Sequence, residues 1–590
     1  MKDPKVFYKD QLLKHKQALM GLKIRLNTLS MFRLVLFLIG VAATYFFWGN
    51  NTLVFGVVLV ISIAFVFLII RYNDVKYQRD IKKALLQRNE LELRVLNRDF
   101  YDLSDGSAYA NAQHFFSQDI DLFGTGSFFQ YMNRTALNSG EALLVRQLLS
   151  NDISAIEKKQ EAIKEIAERV EWNQQFGAIA SLVKTEVAAK TVIHWLTNYK
   201  PFIPKRAKVL SAVLAVVSVT VWVLYFMGLV SGYLVFTVFL VGSGITGKYL
   251  KQITKLATHT AQAQSTFRQY AKLLELLEEQ VFKAESLVEA RETIFGQRSS
   301  SAKALKQFSK LLDALDQRNN ILIGILGNAF FLRDLFICKS IEDWILKHRT
   351  EVPKWFEAIA FFDAYGSLGN YAFNHQNHVY PKITDTDDTL ITDKALHPLL
   401  KTELGVPNDI TIANNEFFVI TGANMAGKST FLRTIALQIV MSNMGLPVCA
   451  AASSYTPTKL ITSMRTTDSL KDDESYFFSE LKRLKFVIDT IEREPHFIIL
   501  DEILKGTNST DKAAGSRKFI EKLVGLNASG LIATHDLSLC DVANNLQTVK
   551  NYYFEAQIVD DELFFDYQFK EGVCQNMNAS FLLHKMDIID

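Results

Sequence analysis

The sequence predicts a multi-domain chain in which an α-helical core with two transmembrane helical hairpins precedes an α/β domain of the phosphate-loop (P-loop) type. Three observations predict it. Two long stretches, 34–70 and 209–247, contain no charged residue. Only Pro4, Pro201 and Pro204 precede position 353, whereas seven prolines follow from Pro353 onward. After about residue 380, short β-rich runs alternate with helical patterns, and a glycine-bracketed loop joins one such strand to a helix. The expected divisions are a basic cytoplasmic N-terminus (1–33), a first hairpin (34–70), a first part of the helical core (71–208), a second hairpin (209–247), a helical lever and second core part (248–380), and the α/β domain (381–590).

Each uncharged run is too long for a single crossing of a ~30 Å hydrocarbon core, which takes about 20 residues. Each has a break near its middle, at Gly49-Asn50-Asn51-Thr52 and at 228–232. Residues 1–33 carry eight Lys/Arg and 71–98 another eight; Lys205, Arg206 and Lys208 precede the second run, and Lys248, Lys251 and Lys255 follow it. The mid-run turns carry none, so both ends of both hairpins are expected in the cytoplasm. This places the chain in an inner or plasma membrane, multi-pass, with the α/β domain cytoplasmic. Soluble core helices rarely stay uncharged over such lengths, and a cleaved signal core spans only about 7–15 apolar residues. The 49% apolar content and mean hydropathy of +0.09 fit that reading.

The remaining composition constrains less. Lys+Arg (65) and Asp+Glu (62) nearly balance, which argues neither for nor against nucleic acid. The four cysteines, Cys338, Cys449, Cys540 and Cys574, form no CxxC pair, as expected in a reducing compartment without a disulfide framework or zinc site. The proline-poor part reads as mostly helix. Residues 251–291 predict one long amphipathic helix with Leu273, Leu274, Leu276, Leu277, Val281 and Leu287 on its apolar side, a stripe suited to packing. Farther on, strands at 417–421, 497–500 and 530–534 alternate with helices from Lys428 and Asp511, which predicts a largely parallel sheet.

Gly422-Ala423-Asn424-Met425-Ala426-Gly427-Lys428-Ser429 matches the phosphate-loop pattern in full, between an apolar strand and a helix that continues through Thr430. Glycines let backbone amides curl around phosphates, and the helix N-terminus adds a favourable field. Lys428 is expected to reach the β and γ phosphates, and the Ser429 hydroxyl to ligate Mg²⁺. Strand 497–500 runs into Asp501 and Glu502: the first carboxylate suits Mg²⁺ through water, the second the attacking water. A kinase would need an acceptor pocket, whereas two adjacent carboxylates suit hydrolysis. His535, at the end of strand 530–534, is expected to contact the γ-phosphate.

Residues 421–433 (TGANMAGKSTFLR), 497–510 (FIILDEILKGTNST) and 533–536 (ATHD) resemble the ATPase domain of the MutS family, the mismatch-repair proteins whose ATPase is related to that of ABC transporters. The resemblance implies ATP and Mg²⁺, a homodimer with two composite sites, and DNA as ligand. Segment 473–480 resembles the family's signature, by which Ser475 would touch the γ-phosphate of the other subunit; its plainer reading is a helix N-cap after an acidic turn. Asn424 matches the family's loop asparagine, and Ala426 stands where the family commonly has glycine. Upstream, Asp121-Leu122-Phe123-Gly124 with Phe128, Asn133-Arg134-Thr135 and 140–149 are similar to the start of the family's helical core. Phe362-Asp363-Ala364 with Ser367-Leu368 resembles its end, and His397-Pro398-Leu399-Leu400 the approach to the ATPase domain. The likeness covers about 105–198, 251–375 and 395–585, with specific motifs only in the last.

Departures from the family shape the functional expectation. Hairpins stand where a mismatch-reading domain and the DNA clamp would be, and no C-terminal helix–turn–helix is evident. Phe7-Tyr8 is followed by Lys9 and is not taken as a mismatch wedge. The expectation is therefore a membrane-anchored, DNA-associated ATPase of the repair type. The alternative is a membrane ATPase that remodels or moves a membrane-bound partner without DNA. A scaffold that has lost hydrolysis is a third reading, against which Glu502 beside Asp501 argues.

Overall fold

The computed structural model describes residues 2–183, 189–295, 300–401, 403, 405–465, 476–559 and 562–575. The chain opens with two long helices, Pro4–Phe46 and Asn51–Leu96, folded into a hairpin. Asp3 caps the first through the Val6 amide (3.0 Å), Gly49 turns the chain at φ +102°, and Asn50 caps the second through the Leu53 amide (3.2 Å). A second hairpin, Ala207–Phe226 and Gly232–Glu279, turns at Gly228 (φ +75°) and is capped by Ser231. All four helices are long and apolar enough to cross a membrane. Phe37, Phe55, Val216 and Phe236 stand exposed along them.

Both hairpins extend beyond their uncharged runs as unbroken helix. The charged extensions bury their own apolar faces: Ala84, Leu85 and Val95 in one, Phe267, Leu273, Leu274 and Leu277 in the other. The expected single helix over 251–291 is not formed. It ends at Glu279 and resumes as Glu285–Glu292. The Glu165 carboxylate accepts the backbone amides of Lys283 (2.9 Å) and Ala284 (2.7 Å), holding the connecting residues out of helix. Val281 is accordingly exposed rather than on the apolar side. One further element was not foreseen: a short apolar helix, Ile321–Phe331, bends by 85° into Arg333–His348, with Leu332 left-handed between them (φ +47°).

The helical core is organised around Val352–Asn374, which is buried along most of its length. Its Asp363 accepts the amides of Ala136 and Leu137 (3.1 and 2.9 Å), serving the start of helix Asn138–Leu149. A Cβ at Gly140 would lie 2.2 Å from that carboxylate, so only glycine fits there. Ser367 accepts from the Arg134 amide (2.8 Å). Glu92, on the extension of the first hairpin, pairs with Arg134 (2.8 Å) and accepts from Asn374 (2.8 Å). Phe7 and Tyr8 are buried against Phe373, and the Tyr8 hydroxyl donates to Asn374 (2.7 Å), so this pair is part of the core.

The α/β part contains a six-stranded sheet ordered Lys570–Glu571, Val549–Phe554, Phe417–Gly422, Ser529–Ala533, His496–Asp501, Lys459–Ser463. Its last five strands are parallel and the first is antiparallel. Phe417–Gly422 is buried at every residue, as a central parallel strand covered on both faces must be. The expected helices start at Lys428 and Ser509, the latter two residues early because Asn508 caps it through the Asp511 amide (2.8 Å). A four-stranded sheet (Lys382–Ile383, Ala452–Tyr455, Asp388–Ala395, Asn408–Ala413) packs beside it. The seam to the helical core combines apolar contacts, such as Phe115 on Phe486 and His496, with polar ones. Asp119 accepts from Thr462 (2.5 Å) and the Arg465 amide (2.9 Å), and Asp121 pairs with Arg465 (2.6 Å) and Arg433 (3.2 Å).

The buried pair yields a stability prediction. Arg134→Ala removes the buried ion-pair partner of Glu92, which costs ~3–5 kcal/mol. We expect a clear fall in the thermal unfolding midpoint of the helical core, whereas replacing both residues by apolar ones of similar volume restores much of it. An unchanged midpoint for Arg134→Ala would show that the pair is immaterial.

Candidate functional site

Parallel strands in register bring their C-terminal ends to one edge. Asp501 lies opposite Ala533, and Ile420 is also opposite Ala533, so Gly422, Asp501 and His535 emerge close together. The loop after Gly422 turns back sharply. Gly422 (φ +145°) and Gly427 (φ +105°) adopt conformations that favour glycine. A Cβ at Gly422 would also stand 2.5 Å from the Phe554 carbonyl oxygen. Met425 (φ +65°) and Asn424 are exposed at the tip, and Ala426 is buried beneath it.

Lys428 begins the following helix and is itself buried. Its ammonium donates to the carbonyls of Gly422 (2.7 Å) and Ala423 (2.9 Å), the loop's own backbone. Burial lowers its pKa, opposed by the charges of Asp501 and Glu502. The Ser429 hydroxyl donates to Asp501 (2.6 Å). Burial raises the Asp501 pKa, with that hydrogen bond opposing. Ser429 and Asp501 thus present adjacent oxygen donors, the ligand type that a hard cation such as Mg²⁺ takes.

Glu502 occupies a left-handed turn (φ +48°), with its amide donating to the Ala533 carbonyl (2.9 Å). That turn presents its carboxylate to His535, whose Nε2 lies 2.7 Å away, with Lys505 at 3.6 Å. The hydrogen bond from His535 is the main reason that the Glu502 pKa falls from its ordinary 4.5 to about 2. The sign follows: this pairing stabilises the fold above the ordinary glutamate value and is lost only as pH falls through about 2. Lys428 stands 3.4 Å from the same His535 nitrogen, which cannot accept from Lys428 while it donates to Glu502.

These groups line a cavity of about 540 Å³. Lys428, Ser429, Thr430, Asp501, Glu502 and His535 form one side, with Asn424, Met425, Ala426 and Gly427 on the loop. Residues 418–584, which contain this strand edge, match the family model described as MutS domain V. This stretch carries a domain of the MutS family. Similar proteins include "MutS protein homolog 4" of Homo sapiens, 29% identical over 267 residues (43% of this chain, 28% of that protein). The "DNA mismatch repair protein MutS" of Staphylococcus carnosus is 28% identical over 269 residues (44% and 30%), and that of Methanosarcina mazei 31% over 262 (42% and 28%). The aligned part of this chain spans less than a third of the length of each of these relatives.

The structure places Asn424, Met425, Ala426, Gly427, Lys428, Ser429, Thr430, Asp501, Glu502 and His535 around this cavity, with Gly422 touching Lys428 through its carbonyl rather than lining it. Ser475 lies outside the described residues. The cavity also has walls outside the motifs: His397 and Leu400 from the connection between strands Asp388–Ala395 and Asn408–Ala413, Phe554 at the end of Val549–Phe554, and Tyr567 from the loop before Lys570–Glu571. Burial lowers the His397 pKa to about 4, which keeps its ring neutral at pH 7. His397-Pro398 stood out in the sequence as a boundary mark, whereas nothing local distinguishes Phe554 or Tyr567 from ordinary core aromatics.

Proposed function

We propose that this chain binds ATP and hydrolyses it, as a MutS-family protein anchored in a membrane by its two hairpins. The observation that carries the reading is the convergence of Lys428, Ser429, Asp501, Glu502 and His535 on one cavity at the edge of a parallel sheet. The curled loop and helix N-terminus would hold the phosphates, with Lys428 released from its loop carbonyls to meet them. Ser429 and Asp501 would hold Mg²⁺, which when bound supplies charge neutralisation to the β and γ phosphates. Glu502, kept ionised by His535, would accept a proton from the attacking water.

Glu502→Gln is expected to retain nucleotide binding and lose about 10²–10⁴-fold in turnover, the usual contribution of a general base. Lys428→Ala is expected to lose binding itself. Phosphate release by Glu502→Gln at the wild-type rate would sink the assignment of Glu502.

The partner is proposed to be DNA, in keeping with relatives named for DNA mismatch repair. Direct mismatch reading is not part of the proposal. The four apolar helices favour a second reading, in which ATP turnover moves or remodels a membrane-bound partner without DNA. Duplex and branched DNA offered to the detergent-solubilised protein separates them. The first reading expects binding that weakens steeply with salt, and its absence with and without ATP decides for the second.

By family resemblance the working unit is a homodimer, with Ser475 of one subunit facing the nucleotide of the other. Lys428→Ala and Ser475→Arg proteins, each inactive alone, are then expected to regain partial activity when mixed before assembly. In a mixed dimer one site carries both lesions and the other neither. Mixed dimers without recovery would reduce Ser475 to a helix cap.

A further inference from the structure

The short helix Ile321–Phe331 belongs to neither hairpin, and the site makes no use of it. No residue between Arg318 and Arg333 is charged. Ile321, Leu322, Ile325 and Leu326 are 74%, 70%, 51% and 48% exposed. A helix facing water over such a surface would ordinarily carry polar side chains there.

Its other side packs on the uncharged run of the second hairpin. The Phe330 ring meets Trp222 (5.7 Å) and Phe239 (6.0 Å). A Cβ at Gly242 would fall 1.9 Å from the Ala329 carbonyl oxygen, so the missing side chain is what lets the two helices touch. These partners lie within 209–247, whereas at the other end of the helix Arg318 donates to Thr254 (3.2 Å), beyond Lys248 and Lys251, so the helix runs from the level of the hairpin's charged end into its apolar span.

The polar groups of the helix are satisfied from within the protein. The Ser218 hydroxyl donates to the Phe330 carbonyl (2.7 Å) and the Ser211 hydroxyl to that of Leu332 (3.4 Å). Asn328 donates to the Gly324 carbonyl (2.8 Å) and accepts the Asp334 amide (2.8 Å). Asn320 caps the other end through the Leu322 amide (3.1 Å). Arg318 and the buried Asp334, one on each flank, stand 3.1 Å apart as an ion pair, although neither Asp334 oxygen accepts a hydrogen bond. Hydrocarbon requires internal satisfaction of this kind, whereas water would supply it freely.

We propose that Ile321–Phe331 is a third membrane-embedded element, one that enters without crossing, with lipid acyl chains covering Ile321, Leu322, Ile325 and Leu326. Its eleven residues span about 16 Å, too short for a ~30 Å core. It continues the exposed apolar surface of the second hairpin and turns back at Leu332 into Arg333–His348. The inference rests on the membrane reading of the hairpins.

The test uses the full chain in phosphatidylcholine–phosphatidylglycerol vesicles doped with a phospholipid carrying an acyl-chain diazirine. After irradiation and digestion, adducts are mapped by mass spectrometry. Adducts are expected on peptides from 34–70, 209–247 and 319–332. In Leu322→Glu/Ile325→Glu, adducts on 319–332 should fall about tenfold, since charge is strongly disfavoured at depth, while the hairpins stay labelled. Labelled hairpins with an unlabelled 319–332 would overturn this inference alone. Unlabelled hairpins would overturn the membrane reading and this inference with it. Disulfide cross-linking of Leu322→Cys between two copies, without adducts on 319–332, would assign the face to a second chain and overturn the lipid assignment.

Discussion

Glu92 lies where three separate parts of the chain meet, and it is buried there. Arg134 pairs with it from the loop before helix Asn138–Leu149, and Asn374 donates to it from the end of the core's central helix. Both charged side chains are only 4% exposed. A buried charge is tolerated where its partners are fixed in place, so the first hairpin's inner end is locked to the helical core. Asn89 adds a reciprocal pair with Gln174, at 3.2 and 3.1 Å, one turn away.

A second set of contacts, partly open to solvent, spans the seam toward the candidate site. Asp119 and Asp121 belong to the helical core, yet their partners are Thr462, Arg465 and Arg433. Arg433 is on the helix that Lys428 begins, and Arg465 stands at the end of the described chain before 466–475, the stretch that holds Ser475. Any shift of the helix that Lys428 begins would therefore pull on the Asp121 carboxylate and the Asp119 carbonyl of the helical core. Contiguity of this kind supplies a physical route for coupling, and mutation across it measures the coupling energy.

Features that depend on a few adjacent residues were legible in the sequence. The phosphate loop, the strand ending in Asp501 and Glu502, and the break points of both hairpins each declare themselves within about eight residues. Features set by distant partners were not. The helix expected over 251–291 is broken because Glu165, more than a hundred positions away, takes the amides of Lys283 and Ala284. Ile321–Phe331 falls below the length at which an apolar run announces a membrane element, and its polar ends are answered by Ser211 and Ser218 of another helix. Phe554 reaches the cavity through strand order and Tyr567 from the loop before the edge strand, neither of which local pattern encodes.

Helix Asn51–Leu96 is 46 residues long, packs along Pro4–Phe46, and is joined to the rest of the protein over its charged extension, from Tyr77 to Glu92. At 1.5 Å per residue it measures roughly 69 Å, so a tilt of about 5° at its fixed end sweeps the far tip through about 6 Å. A rotation that small leaves hydrogen bonds near the pivot within their working range, while the tip moves by more than half the width of a neighbouring helix. Geometry alone thus trades a stiff, low-amplitude motion at the core for a wide arc at the opposite end, without any hinge along the way.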